Sequence, residues 1–253
     1  MLAQERQDAI VEQVNREGSV LVKELSEKYK VTEDSIRKDL TLLEKKGLLK
    51  KTYGGAVKAR VNVHEFFVSE RKDKHIEEKK MIAKKALELI EDGDMVFLDI
   101  STSNLELAKM IIEKELHVTI VTNMIEIMLQ FVPLQKTKLI FIGGFMSEGR
   151  DGFIGSLTIQ EIEKYRFDKA FLGVVGVDLD KNRVETYCVE DGMTKSAILN
   201  SASQAYMMLE SRKLKTEGNY RYASVSDFAG IIVEKKLNED DKQGLERYKT
   251  VLI

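Results

Sequence analysis

The chain has 253 residues, 43% hydrophobic and 32% charged, with a formal net charge of −2 and one cysteine. That length accommodates a small and a larger domain, and the lone Cys188 excludes an internal disulfide framework or a cysteine-rich zinc site. No apolar run is long enough to span a bilayer and MLAQERQDAI lacks a signal-peptide core, so a cytoplasmic protein with no membrane partner is expected.

Charge is unevenly spread along the chain. Residues 1–60 carry 13 Lys/Arg against 10 Asp/Glu, and the rest carry 27 against 32. Between 30 and 60, nine basic groups face only Glu33, Asp34, Asp39 and Glu44. Phosphate binding needs this kind of local positive potential, although a solvated lysine-rich helix would have the same composition.

In chain order, residues 4–17 put Ile10, Val11 and Val14 on one helical face, and Gly18 stops the pattern. Val22 to Tyr29 repeats it, with Val22, Leu25 and Tyr29 apolar. After a turn at Val31, Thr32 is a good N-cap, and Glu33 and Asp34 suit the positive end of a third helix. There Ile36, Leu40 and Leu43 share a face, while Asp34, Lys38 and Thr41 point away and Ser35 and Arg37 flank them; Gly47 is the C′ stop. Leu42 also falls on the outward half, and a basic DNA-contacting face does not account for it. Residues 48–53 read as a small basic wing returning at Gly54-Gly55.

Two short helices, a tight turn, a third helix with a basic outer face and a wing make a winged helix-turn-helix, so double-stranded operator DNA is the expected partner. A three-helix packing unit without a ligand needs neither the basic stripe nor the wing. Candidate DNA contacts are Thr32, Ser35, Arg37, Lys38, Thr41, Lys50, Lys51 and Tyr53, with Arg37 and Lys38 reaching base edges or adjacent phosphates and Lys50 and Lys51 on phosphates. One recognition helix reads too few base pairs alone, so a homo-oligomer, dimer or tetramer, is expected. The run V-T-E-D-S-I-R-K-D-L-x-x-L-E-x-x-G-L-L-x-x-x-Y-G-G-A resembles the winged helix-turn-helix of the DeoR family of bacterial transcriptional regulators, and the match extends upstream to Arg6-Gln7 and Glu24-Leu25. Ser35 stands where threonine is usual in that family and keeps the hydroxyl.

Residues 59–76 are charged and aperiodic and form a connector between domains at 1–58 and 77–253. The single proline, Pro133, lies elsewhere, so the connector is not a stiff spacer. Helices are then expected at 77–91, 104–114, 124–131, 157–165, 187–203 and 238–248. They alternate with strands at 95–100, 117–123, 138–144, 169–177, 205–211 and 229–234, before a terminal TVLI. Continuous apolar strands separated by helices indicate an α/β domain with a mostly parallel, doubly covered sheet.

The strand ends are the informative part. They carry Asp99 then Ser101, Thr102, Ser103 and Asn104; Thr122 and Asn123; Gly143 and Gly144; Gly173, Gly176 and Asp178; and Glu210 to Lys213. In open α/β sheets ligands sit beyond the carboxyl ends of the strands, and small or hydroxyl residues there let backbone N–H groups face an anion. Such residues also serve ordinary βα turns. The pattern favours a small polar or phosphorylated ligand. Its phosphate is expected near Ser101, Thr102, Ser103 and Lys213 and its hydroxyls on Asp99, with Thr122, Asn123, Gly143 and Gly144 around it.

These segments also resemble the effector domain of the DeoR family, whose D-x-G-[ST]-T element lies at Asp99-Ile100-Ser101-Thr102-Ser103, with further matches at Gly155 and at Asp168-Lys169-Ala170-Phe171. The resemblance implies a fold similar to ribose-5-phosphate isomerase and a phosphorylated sugar or related metabolite as effector. Ser101 replaces a glycine, Glu210-Ser211-Arg212-Lys213 stands where Asp-Ser-Ser-Lys is usual, and Val233-Glu234 where Thr-Asp is usual.

No cofactor or metal is expected, because His64, His75 and His117 have no metal-ligand spacing and Cys188 has no base partner in the sequence. Asp99 with Glu185 or Glu210 could move protons in a sugar-phosphate isomerase, the enzyme alternative. A metabolic isomerase has no use for a basic recognition helix, so the reading is a metabolite-modulated repressor of sugar-metabolism genes and not an enzyme. A constitutive DNA-binding regulator with a degenerate ligand domain is the third reading, from the departures at Ser101, Glu210 and Glu234.

Overall fold

The computed structural model describes residues 3–45, 48–58, 72–132, 137–214 and 216–253. Gly47, Pro133, His64 and most of the expected connector lie outside the described residues. The chain divides into two units, residues 1–62 and 63–253, each considered by itself.

In the first unit, α1 (Ala3–Glu17), α2 (Val22–Tyr29) and α3 (Glu33–Lys45) pack on a three-stranded antiparallel sheet of β1 (Ser19–Leu21), β2 (Leu49–Thr52) and β3 (Gly55–Lys58), in the order β1-β3-β2. Ile10, Val14, Leu25, Ile36, Leu40 and Leu43 meet Val20, Leu49 and Ala56 in one core. The expected apolar face of α3 is therefore the buried one, with one addition: Asp39 is buried too. Arg6 Nε donates to its Oδ2 at 2.7 Å and Gln7 Nε2 to its Oδ1 at 2.8 Å, tying α3 to α1. The wing is a hairpin whose two-residue turn, Tyr53-Gly54, uses a positive φ of 86° at Gly54. β1, too short to show a period in the sequence, exists by pairing with β3. A Cβ on Gly55 would stand 2.1 Å from the Val20 carbonyl oxygen, so this strand contact requires glycine.

The second unit is built on a seven-stranded, all-parallel sheet. Its strands are β4 (Met95–Leu98), β5 (Thr119–Thr122), β6 (Lys138–Phe141), β9 (Phe167–Gly173), β12 (Ala202–Met208), β14 (Gly230–Ile232) and β15 (Val251–Leu252), in the order β15-β14-β12-β9-β4-β5-β6. Alternate strand residues feed two cores. Phe97, Val121, Leu172, Met207 and Ile231 enter one, with α7 (Ser156–Ile162), α8 (Val189–Asn200) and α9 (Glu239–Glu246). Val96, Leu98, Ile120, Phe171 and Met208 enter the other, with α4 (Ile76–Leu87), α5 (Thr102–Glu113) and α6 (Ile125–Phe131). The expected doubly covered parallel sheet is what forms.

Three expectations change. The run 169–177 is not one strand: β9 ends at Gly173, and β10 (Gly176–Asp178) joins a separate antiparallel sheet with β11 (Arg183–Thr186) and β13 (Tyr220–Ala223). The split follows from close approaches, since a Cβ on Gly173 would meet the Ser101 Cβ at 2.3 Å and one on Gly176 the Thr216 carbonyl oxygen at 2.0 Å. Helix α5 begins at Thr102, two residues early, because Ser101 rather than a later residue caps it. Helix α4 stops at Leu87, short of the expected 91. The small hairpin of β7 (Phe145–Met146) and β8 (Phe153–Ile154) was not legible in the sequence either.

Asp39→Ala strands the Arg6 guanidinium at a mostly buried position. The expected loss is at or below the roughly 3–5 kcal/mol of a fully buried pair. In native-state hydrogen exchange of the full chain, amides of residues 33–45 should exchange faster while those of 95–98 keep their protection.

Candidate functional site

The outward side of α3 and the wing form one surface. Thr32 and Ser35 sit at the start of the helix with their hydroxyls 3.0 Å apart, and the Ser35 N–H donates to the Thr32 hydroxyl at 3.3 Å. Arg37 is exposed but not free: it donates to Glu33 at 2.6 Å and to Asp34 at 3.0 Å. Thr41 donates to the Arg37 carbonyl at 2.7 Å and accepts from Lys51 Nζ at 2.7 Å. The Lys51 N–H also donates to Glu44 at 2.8 Å, so Lys51 fastens the wing to the helix. Lys38 and Lys50 are exposed without an ion pair among the described residues, and Tyr53 is fully exposed at the wing tip. Both lysines keep their charge, since Lys51 Nζ meets only a neutral hydroxyl, but Lys51 is tied to the helix and Lys50 is not.

In the second unit the strand order reverses direction beside β4. From β4 the chain moves outward through β5 to β6, then returns to β9 on the other side of β4 and continues through β12, β14 and β15. The crevice between β4 and β9 is the topological switch point, where open α/β sheets bind ligands. Asp99, 1% exposed, lies there. Its Oδ2 accepts from the Gly173 N–H at 3.1 Å and from Lys195 Nζ. Lys195, equally buried on α8, also faces Asp191 at 3.5 Å, and Asp191 accepts from the Thr186 hydroxyl at 2.8 Å. Burial, the largest influence on Lys195, pulls its pKa down, but the two carboxylates outweigh it and the net shift is upward. Burial raises Asp99. The buried Tyr222 phenol is pushed well above 10, by burial first and then by the charges of Asp99 and Asp191.

Neighbouring groups divide into those the fold uses and those it leaves open. Ser101 Oγ accepts from the Asn104 N–H at 3.0 Å as the N-cap of α5. This gives the serine a structural role where glycine is usual. Thr122 donates to the Leu98 carbonyl at 2.7 Å and accepts from the Met124 N–H. Asn104 Nδ2 donates to the carbonyls of Asp99 and Phe171, and Asn123 Nδ2 to that of Phe153. The Oδ1 atoms of both asparagines and the Tyr222 hydroxyl are buried without a hydrogen-bond partner. The Thr102 and Ser103 side chains, in the first turn of α5, make no hydrogen bond among the described residues. Gly143 and Gly144 close on α7: the Thr158 hydroxyl donates to the Gly143 carbonyl at 3.0 Å, and a Cβ on Gly144 would clash with it.

Lys213 lies on a different part of the rim. It follows β12, two strands from β4, and its Nζ is 2.7 Å from Glu210. Glu234 accepts from the Ser211 N–H and hydroxyl at 2.8 and 2.5 Å and so holds that turn. Glu210 is buried, which raises its pKa, yet Lys213 and then Arg212 outweigh this and hold it at about 2. Glu185, the other candidate acid, accepts from the Gly218 N–H at 2.9 Å. Cys188 precedes α8 without a side-chain capping bond, its Sγ donating to Glu190 at 3.3 Å, and burial raises its thiol, the opposite of nucleophile activation. Sequence reasoning missed Lys195, Asp191 and Tyr222; the i,i+4 pair Asp191–Lys195 was the available signal.

Residues 6–60 match the DeoR-like helix-turn-helix domain, and residues 74–235 match the DeoR C terminal sensor domain. The chain belongs to the DeoR family. It is 32% identical to the uncharacterized HTH-type transcriptional regulator YulB of Bacillus subtilis (strain 168), over 98% of this chain and 95% of that one. It is 31% identical to the lactose phosphotransferase system repressor of Streptococcus mutans serotype c, over the whole of both chains. Among solved structures, ribose 5-phosphate isomerase A from Methanocaldococcus jannaschii aligns with 54% of this chain and 53% of its own at a TM-score of 0.39 and 18% identity. Likeness at that level says nothing about chemistry here. This DeoR-family chain is a DNA-binding transcriptional regulator with a helix-turn-helix domain and a sensor domain, and among the described residues no helix is long and apolar enough to cross a membrane.

Glu210 gives the sensor unit a pH signature. Its folded pKa lies below the ordinary 4.5, at about 2. Its stabilisation is therefore full above pH 4.5 and is lost as pH falls through that window, amounting to about 3 kcal/mol. Urea midpoints measured against pH should fall less steeply between 4.5 and 2 in Glu210→Gln than in the parent, with the two converging at the acid end.

Proposed function

We propose that this regulator is an oligomeric repressor of a sugar-metabolism operon, and that a phosphorylated sugar or related metabolite in the β4/β9 crevice modulates its operator affinity. The observation that carries the metabolite reading is the set of unsatisfied groups at the switch point. The Asn104 carbonyl oxygen and the Tyr222 hydroxyl are buried without hydrogen-bond partners beside a charged cluster, as is the Asn123 carbonyl oxygen past the end of the neighbouring strand β5, and each such group costs free energy until something bonds it. The first turn of α5 adds the Thr102 and Ser103 hydroxyls and outward N–H groups suited to an anion. Relatives described as repressors of the lactose phosphotransferase system and, putatively, of the aga operon support the class of target gene.

Self-association has its own support. Phe145, Met146, Leu157, Val189 and Met193 are exposed large apolar side chains on β7, α7 and α8. These elements meet at Gly155, which lies 3.9 Å from the Phe145 ring when given a Cβ and donates its N–H to Thr194 at 3.1 Å. Apolar surface of this kind marks interaction sites, and a second copy supplies the paired recognition helices an operator needs.

A second reading, a regulator insensitive to metabolites, draws on one observation: Lys195 inside the crevice and Lys213 beyond β12 are both already paired with carboxylates. Operator titrations with a panel of pentose and hexose phosphates separate the two. A metabolite that binds the DNA-competent and incompetent arrangements unequally should shift operator affinity by about 5–150-fold. Lys213→Ala should weaken its binding while leaving ligand-free operator affinity nearly unchanged. A panel without effect on either affinity or melting temperature favours the insensitive regulator. On the DNA side, Lys50→Ala should weaken all sequences alike and reduce the slope of log affinity against log salt by about one per subunit.

A further inference from the structure

One apolar side chain on the outward face of α3 has no part in the core or in charge-based DNA contact. Leu42 is 42% exposed. With Asp34, Arg37, Lys38, Thr41 and Lys45 it lines a shallow groove of about 500 Å³. At about 100° per residue it projects within roughly 40° of Lys38, near the middle of the face that a base edge would meet. A single exposed leucine is ordinary on a protein surface. This one is set among three cations on a helix that addresses DNA.

The hydrogen-bonding groups around Leu42 are largely occupied within the chain. Arg37 is held by Glu33 and Asp34. The Thr41 hydroxyl both donates to the Arg37 carbonyl and accepts from Lys51. The Ser35 hydroxyl pairs with that of Thr32. Exchanging an internal hydrogen bond for one to a base gains little net free energy. The uncommitted groups of the middle turns are the ammonium of Lys38 and the isobutyl group of Leu42. In the major groove, the base feature that an apolar group distinguishes is the C5 methyl of thymine.

Resting on the reading of α3 as the recognition helix, we infer that Leu42 is a specificity-determining residue for the operator, packing against the C5 methyl of a thymine in each half-site. The probe is a duplex selected by the full-length chain from a random pool. Each thymine is replaced in turn by deoxyuridine, which removes the methyl and leaves every hydrogen-bonding edge intact. The parent should lose about fourfold in affinity at one thymine per half-site, the fold-change of one buried methyl group. Leu42→Ala should bind the selected duplex more weakly and bind the thymine and uracil versions equally at that position. Leu42→Met, which keeps an apolar contact, should retain part of the difference. If a duplex is selected but no thymine-to-uracil replacement distinguishes the parent from Leu42→Ala, the inference is overturned. If no duplex is selected at all, the recognition-helix reading fails, and the inference with it.

Discussion

A carboxylate shut away from water sits where the sensor sheet changes direction, and much of the surrounding architecture meets its need for partners. Asp99 follows β4, takes the N–H of Gly173 at the end of β9, and faces the Lys195 ammonium on α8. One side chain thereby links two strands to the helix covering them. A buried charge is tolerated only when paired and hydrogen-bonded. Lys195 therefore needs Asp191 as well, and Asp191 in turn engages Thr186 at the end of β11. Fixing β11 positions the small antiparallel sheet and Tyr222. The crevice is a charged cluster closed on itself, with a few neutral polar atoms left without partners.

The DNA-binding unit uses the same device on a smaller scale. Asp39 points into an otherwise apolar core and is satisfied by Arg6 and Gln7. The orientation of α3 against α1 is thus held by a directional contact as well as by packing. Asp39 is therefore neutralised internally and does not offset the cations of the outer face. Further out, Glu33 and Asp34 pair with Arg37, while Lys38, Lys45, Lys50 and Lys51 have no carboxylate ion pair among the described residues of α3 and the wing. A chain with net charge of −2 thus presents a locally basic surface, since potential near a phosphate depends on nearby unpaired charge more than on the total.

Glu210 and Lys213 form a second ion pair of the sensor unit, after β12. Glu210, paired with Lys213, is close enough to Glu78 for their charges to interact, and Glu78 lies in the first turn of α4, the first helix of this unit. On the proposed reading, the coupling of ligand to DNA equals the difference in ligand affinity between the two arrangements.

Much of this was legible in the sequence because burial imposes a period. Ile36, Leu40 and Leu43 marked the inner face of α3, the hairpin showed through its glycines, and six apolar runs marked the major strands of the parallel sheet. The run of Asp99 to Asn104 pointed to the switch-point loop through the residue types that βα turns and anion sites share. Tertiary structure decided what a period cannot carry. Strands of two to four residues such as β1, β7 and β13 form because a partner is already in place, and the run at 169–177 breaks because Gly173 and Gly176 each lie against another segment. The pairings that define the chemistry join distant positions, Arg6 with Asp39 and Asp99 with Lys195, 33 and 96 residues apart. The sequence by itself determined the fold classes and the polarity of the helix and strand faces, because these follow from local pattern. Only the tertiary structure decided which charges are spent on each other and which remain for DNA or a ligand, because a charge is neutralised by its neighbour in space and not by its neighbour in the chain.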